Sequence, residues 1–167
     1  MRAGQTRKIA TVGALSAAAV VILLLGCALP NGKAGAAALA SLSAALSMMA
    51  YGYGGGAGCY VVTALLALLL VPEKTIALFY AVLFAPYMML KLTADQLKAP
   101  VSWLVKLAGS GALLGALWLL LSAFMGWERK MLPTAAWFLW PAAVVVYDIA
   151  LTRLLGMLQR FLRPMLR

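Results

Sequence analysis

The sequence predicts an all-α protein, a polytopic transmembrane bundle of about six helices with both termini cytoplasmic. Three observations carry this reading. Apolar residues make up 65% of 167 residues, and mean hydropathy is +0.99, where soluble domains are nearer half apolar and so small a domain cannot hide the excess from water. Polar, Gly and Pro residues cut the chain into stretches near the ~20 residues needed to cross a bilayer. No stretch alternates apolar and polar residues as a barrel strand would, which leaves helices to satisfy the backbone in lipid.

The spans follow in order as one transmembrane domain over 1–167. The first covers about 8–29 and stops at Pro30-Asn31-Gly32, and the second covers 34–51. The third, 57–71, is short and ends at Pro72-Glu73-Lys74. The fourth runs over 75–90, the fifth over 101–125 and the sixth over 132–155, followed by a basic amphipathic tail, 156–167. Lys and Arg orient them. With the N-terminus inside, the inner face holds Arg2, Arg7, Lys8, Lys91, Lys98, Arg160, Arg163 and Arg167. The outer face holds Lys33, Lys74, Arg129 and Lys130, offset by Glu73 and Glu128. Merging the second and third spans would put the basic tail outside, against this rule.

The net charge of +10 is the same inside bias plus attraction to anionic headgroups, so the expected partner is the lipid bilayer and not nucleic acid. The N-terminus imitates a secretion signal, and Leu24-Leu25-Gly26-Cys27 imitates a lipobox. The apolar run is long for a signal and Leu25 fits a lipobox poorly, so a retained first helix is expected. Cys27 and Cys59 fall near opposite faces, and with no His in the chain no metal site or cofactor is expected.

The chain contains four acids: Glu73, Asp95, Glu128 and Asp148. No nucleotide-binding, metalloprotease or serine-hydrolase pattern is present, so an enzyme is not expected. Asp148 is the acid inside a span, where a carboxylate normally faces a partner or water. An intramembrane ion pair with Lys106 of the fifth span is the structural reading, and a proton or substrate relay is the functional one. Ala10, Ala14 and Ala18 repeat every four residues on the first helix, a pattern that lets helices approach closely in lipid. They serve either internal packing or docking of another subunit. The Tyr51–Gly58 run reads as a tight inner turn. Trp137, Trp140 and Pro141 form an aromatic wall beside a kink, and these two Trp residues with Tyr80 are the candidate ligand contacts. Pro86 is expected to bend the fourth helix.

The basic start running into Ala10-x-x-x-Ala14-x-x-x-Ala18, the Tyr51-Gly52-Tyr53-Gly54-Gly55 turn, the Phe84-Ala85-Pro86-Tyr87 segment leading to Lys91 and the Tyr147-Asp148 pair make the chain resemble a known group. It resembles the substrate-binding S components of energy-coupling factor (ECF) transporters, or an S-component-like bacterial membrane family close to them. The resemblance implies a small-ligand binding and uptake subunit of a bacterial cytoplasmic membrane. By it, Ala10, Ala14 and Ala18 dock a transmembrane coupling subunit driven by an ATPase pair. The loop 30–33 is shorter than the ligand-covering loop of many members, and no His-rich start is present, so no substrate is implied. Two further readings stay open: a non-enzymatic membrane scaffold of the MreD type, and a proton-coupled small carrier using Asp148.

Overall fold

The computed structural model describes residues 2–29, 32–96, 98–125 and 134–162. The described residues are almost entirely helical and contain no strand. The helices are α1 (Arg2–Cys27), α2 (Lys33–Tyr51), α3 (Tyr53–Leu70), α4 (Lys74–Leu78), α5 (Ala85–Ala94), α6 (Ala99–Met125) and α7 (Thr134–Leu162), with a π-helical turn, Phe79–Phe84, joining α4 to α5. Five helical stretches are long and apolar enough to span a bilayer: Gln5–Cys27, Lys33–Tyr51, Tyr53–Leu70, Lys74–Ala94 and Pro100–Ala123. The protein is thus a multi-pass membrane protein by helix length and composition. α7, where a sixth span is expected, has 29 residues with Pro141 inside it.

The chain divides into two compact units, Met1–Leu119 and Leu120–Arg167. In the first, α1, α2 and α3 pack against one another, and the Lys74–Ala94 stretch packs on α2 and α3. Its core is built largely of alanine: Ala19, Ala36, Ala37, Ala40, Ala64, Ala67, Ala77 and Ala85 surround Leu23, Val71, Ile76 and Tyr80. Lipid gives helices no hydrophobic reason to associate, so small side chains that permit close backbone approach do that work.

Glycine sets two of the closest approaches. At the far end of the α1–α2 hairpin, a Cβ on Gly26 would strike Ala36 and Ile76. At the opposite end, a Cβ on Gly56 would lie 2.6 Å from Met48 Cβ and 3.2 Å from the Ala44 carbonyl. α3 therefore begins at Tyr53, four residues before the expected start at 57, because Gly55 and Gly56 are helical and face α2. The α2–α3 reversal is a single residue, Gly52, at φ 73° and ψ −172°, a region open essentially to glycine alone.

Polar contacts fix both ends of the first unit. Near Gly52, the Tyr51 hydroxyl donates to Thr11 Oγ1 at 3.0 Å, joining α2 to α1. At the other end, Lys33 forms an ion pair with Glu73, tying the start of α2 to that of α4. Lys74 Nζ donates to the carbonyls of Leu68 at 2.7 Å and Val71 at 3.1 Å, which answers the unpaired carbonyls at the α3 C-terminus with a cation.

Candidate functional site: a polar half-core and a lysine–aspartate corner

The core of the first unit is divided along the helix axes. Toward the Lys33–Glu73 end the buried cluster is made of Leu23, Ala36, Ala37, Ala67, Val71 and Ile76, with Ser41 buried near the middle of α2. Toward the Gly52 end it buries Ser16 of α1, Ser43 and Ser47 of α2, Cys59 and Thr63 of α3, and Tyr80 of the π turn. Spacing explains the division: Ser43 and Ser47, like Cys59 and Thr63, stand four apart and share one helix face. Antiparallel packing then brings the polar halves of successive helices to one level.

Most of these hydroxyl protons are taken locally, as serine does inside helices. Ser16 donates to the Val12 carbonyl at 2.9 Å, Ser43 to that of Ala40 at 2.7 Å, and Ser47 across the hairpin to that of Gly55 at 2.9 Å. Cys59 links three helices, with its Sγ 3.4 Å from Ser16 Oγ and its thiol donating to Ser43 Oγ at 3.8 Å. Two hydroxyls differ. Those of Tyr80 and Thr63 are buried and have no hydrogen-bond partner among the described residues, although Thr63 and Ser43 are the polar side chains beside the Tyr80 hydroxyl.

The π turn that carries Tyr80 follows from Pro86. Ala85 N–H bonds the Tyr80 carbonyl, five residues back. The next bond in that register would run from residue 86 to the Ala81 carbonyl, but proline has no N–H. Tyr60 of α3 takes its place, donating its hydroxyl to the Ala81 carbonyl at 2.9 Å. The bend expected at Pro86 thus takes the form of a π turn on its N-terminal side. Such turns concentrate at functional sites. Beside it, a groove of about 450 Å³ between α3 and α5 is lined by Ala57, Tyr60, Val61, Pro86 and Met89, with Tyr53 and Thr93 at its polar end.

A charged corner sits at the end of α5. Asp95 Oδ1 lies 2.5 Å from Lys106 Nζ, and its Oδ2 lies 3.8 Å from Lys91 Nζ. Both lysine side chains are almost fully buried, while the aspartate is 43% exposed. Lys106 Nζ also stands 5.4 Å from the centroid of the Trp103 ring, a cation–π distance. Two buried lysine side chains whose heads meet one partly exposed carboxylate fit snorkelling behaviour. Asp95, placed by the sequence in an inner loop, is the acid that meets Lys106 within the first unit.

The remaining sequence candidates fall as follows. Tyr80 is at the centre of the polar half-core. Trp137 and Trp140 lie on α7, with side chains outside the described residues. Asp148 is buried on α7 in the second unit, and Thr152 Oγ1 donates to its backbone carbonyl at 2.7 Å. Ala10, Ala14 and Ala18 are exposed, while α1 turns Ser16, Ala19, Val20 and Leu23 inward. Ser16, Ser43, Ser47 and Thr63 are not among the residues singled out from the sequence. Their signal was the four-residue spacing on consecutive spans. No family profile, curated protein or solved structure matches this chain.

Proposed function

We propose that this chain is a small-ligand binding and uptake subunit of the S-component type, in a bacterial cytoplasmic membrane, energised by partner ATPase subunits through a transmembrane coupling subunit. The observation that carries the reading is the exposed alanine stripe of α1. Ala10, Ala14 and Ala18 take no part in the packing face of that helix, so internal packing does not account for them. Small residues at every fourth position on an outward face suit close approach by a helix of another protein. The chain carries no nucleotide motif of its own, so energy comes from the partners. In this reading α7 is the sixth span, both termini are cytoplasmic, and Tyr80 with Trp137 and Trp140 contacts the ligand.

A second reading is supported by the filled first unit. With Tyr80 fully buried and Gly26 and Gly56 in close contact with neighbouring helices, that unit suits a non-enzymatic membrane scaffold of the MreD type, which needs interfaces and no cavity. The two separate on mild-detergent purification from native membranes with mass spectrometry of what is retained. An ATPase pair with a membrane coupling subunit, lost in Ala14→Trp, supports the uptake subunit. Cell-wall morphogenesis proteins without an ATPase overturn it in favour of the scaffold.

A further inference from the structure

We infer that the groove between α3 and α5 holds one acyl chain of an anionic phospholipid, with the headgroup at its Tyr53–Thr93 end. The inference rests on the multi-pass fold and is independent of the uptake reading. The groove runs from Tyr53 to Val61 along α3 and from Thr93 back to Pro86 along α5. At 1.5 Å per residue these runs are about 10–12 Å long, most of the roughly 15 Å depth of one hydrocarbon leaflet. About 450 Å³ over that length is a channel about 7 Å across, narrower than the 10–12 Å of a helix. Apart from Ala57 the lining is of larger side chains, among them Tyr53, Tyr60, Met89 and Leu90, where close helix approach calls for small ones. Tyr53 and Val61 are 62% and 49% exposed, so the groove opens on the surface of the unit.

Charge selects the headgroup. The acids of the first unit are Glu73 and Asp95. Glu73 pairs with Lys33 at the end away from Gly52, where Lys74 is the other cation. Asp95 is held by Lys106 and Lys91 at the end of α5, the polar end of the groove. Arg2, Arg7, Lys8 and Lys98 belong to the same end. The Tyr51–Thr11 bond sets Thr11 of α1 beside the Gly52 reversal, and Arg7 lies four residues before it, about 6 Å further out. Lys98 stands in the connection that follows α5. Arg7 and Lys98 are exposed and Lys8 is half-exposed, so these three charges are open to a headgroup while Asp95 is already engaged. Thr93 has given its proton to the carbonyls of Met89 and Leu90, at 3.1 and 2.9 Å, which leaves the Tyr53 hydroxyl to donate to a phosphate or ester oxygen. A zwitterionic headgroup would leave the excess of cations unanswered, and an anionic one answers it.

The test places the full chain in phosphatidylcholine nanodiscs doped with a lipid carrying a photoactivatable acyl chain, either phosphatidylglycerol or phosphatidylcholine, and maps the labelled residues by mass spectrometry. The expected result is saturable labelling at Ala57, Val61 and Met89, one lipid per chain. It should be at least about fivefold stronger for phosphatidylglycerol, the effect of a single surface cation on an anionic lipid. Ala57→Trp, which fills the groove, should abolish the labelling. Arg7→Gln, Lys8→Gln and Lys98→Gln together should remove the preference and leave helix content unchanged. Labelling that does not saturate and is no stronger than at Ile9, an α1 position with 72% exposure, overturns the inference in favour of annular lipid only. Equal labelling by the two headgroups in the parent overturns it, as does labelling that survives Ala57→Trp. A groove that neither lipid labels overturns it as well. If Ala57→Trp does not fold, the saturation in the parent and the triple charge variant still decide.

Discussion

Removing the Tyr60 hydroxyl tests the account of the π turn most directly. In Tyr60→Phe the Ala81 carbonyl loses the donor now 2.9 Å away, and Pro86 cannot supply another. Hydrogen bonds between membrane helices average about 0.6 kcal/mol and reach about 1.7, while a buried group left unpaired costs about 1–3 kcal/mol. Tyr60 is half-buried, so a loss of about 1 kcal/mol is expected, below the upper end of both ranges. The cause is separable because it depends on Pro86. Pro86→Ala restores a backbone N–H at position 86, which reaches either the Ala81 carbonyl in the π register or the Val82 carbonyl in the α register. In that background Tyr60→Phe should cost less than half of what it costs in the parent. The assay is a double-mutant cycle on reversible unfolding in mixed micelles, with circular dichroism confirming unchanged helix content. Additive effects, within about 0.3–0.5 kcal/mol, would refute the link between the missing proline donor and the Tyr60 hydroxyl.

Gly56→Leu should destabilise the α2–α3 hairpin by about 1–3 kcal/mol by overpacking, because even its Cβ would meet Met48 at 2.6 Å. Gly58→Ala, where nothing lies within 4 Å, should be neutral or slightly stabilising in the same unfolding measurement. Asp95→Asn leaves two buried lysines without their shared carboxylate. Breaking a fully buried pair costs about 3–5 kcal/mol, and exposure of Asp95 reduces this to an expected loss of about 1–2 kcal/mol, read as a lowered unfolding midpoint that Asp95→Glu partly restores. For topology, single cysteines placed at Thr6 and Gln159 in a Cys27→Ala, Cys59→Ala background should both be shielded from a membrane-impermeant thiol reagent in intact cells and both react after permeabilisation. Opposite accessibility of the two would refute the six-span arrangement.

Much of the architecture was legible because composition and punctuation act locally. Pro30-Asn31-Gly32 and Pro72-Glu73-Lys74 mark the ends of helices, and the glycine at 52 makes the reversal that the Tyr51–Gly58 run predicted. The rest depended on which face each residue presents. Gly55 and Gly56 looked like loop by propensity, yet close packing on Ser47 and Met48 keeps them in α3, a case of tertiary contact overriding intrinsic preference. Tyr60 gave no sign in the sequence of serving Ala81, since the need arises only after Pro86 has shifted the helix into the π register. Asp95 was invisible as a partner for Lys106 because the pairing depends on how α5 and α6 approach across a short connection. Sequence suggested Tyr80 as a ligand contact. Its position within the polar half-core depends on the same π turn.

The division of the first unit into an inward polar face and an outward alanine face has a consequence for the docking experiment. Successive helical residues are about 100° apart, so Ala14 and Ser16 point about 200° apart, to opposite sides of α1. Ala18 stands in the same relation to Ser16. A bulky residue at Ala14 therefore meets whatever covers the outer face without touching Ser16, Cys59 or Ser43, whose contacts set the register of α1 on α2 and α3. Ala14→Trp should thus leave the unfolding midpoint of the purified protein within about 0.5 kcal/mol of the parent while removing the bound partner. A matched substitution on the inner face, Ala19→Trp, at a position with 0% exposure, should collapse stability and partner binding together. If Ala14→Trp instead unfolds the isolated chain, the stripe belongs to the fold and the docking argument fails. If it changes neither stability nor association, the stripe faces lipid alone, and the uptake reading loses the observation on which it stands.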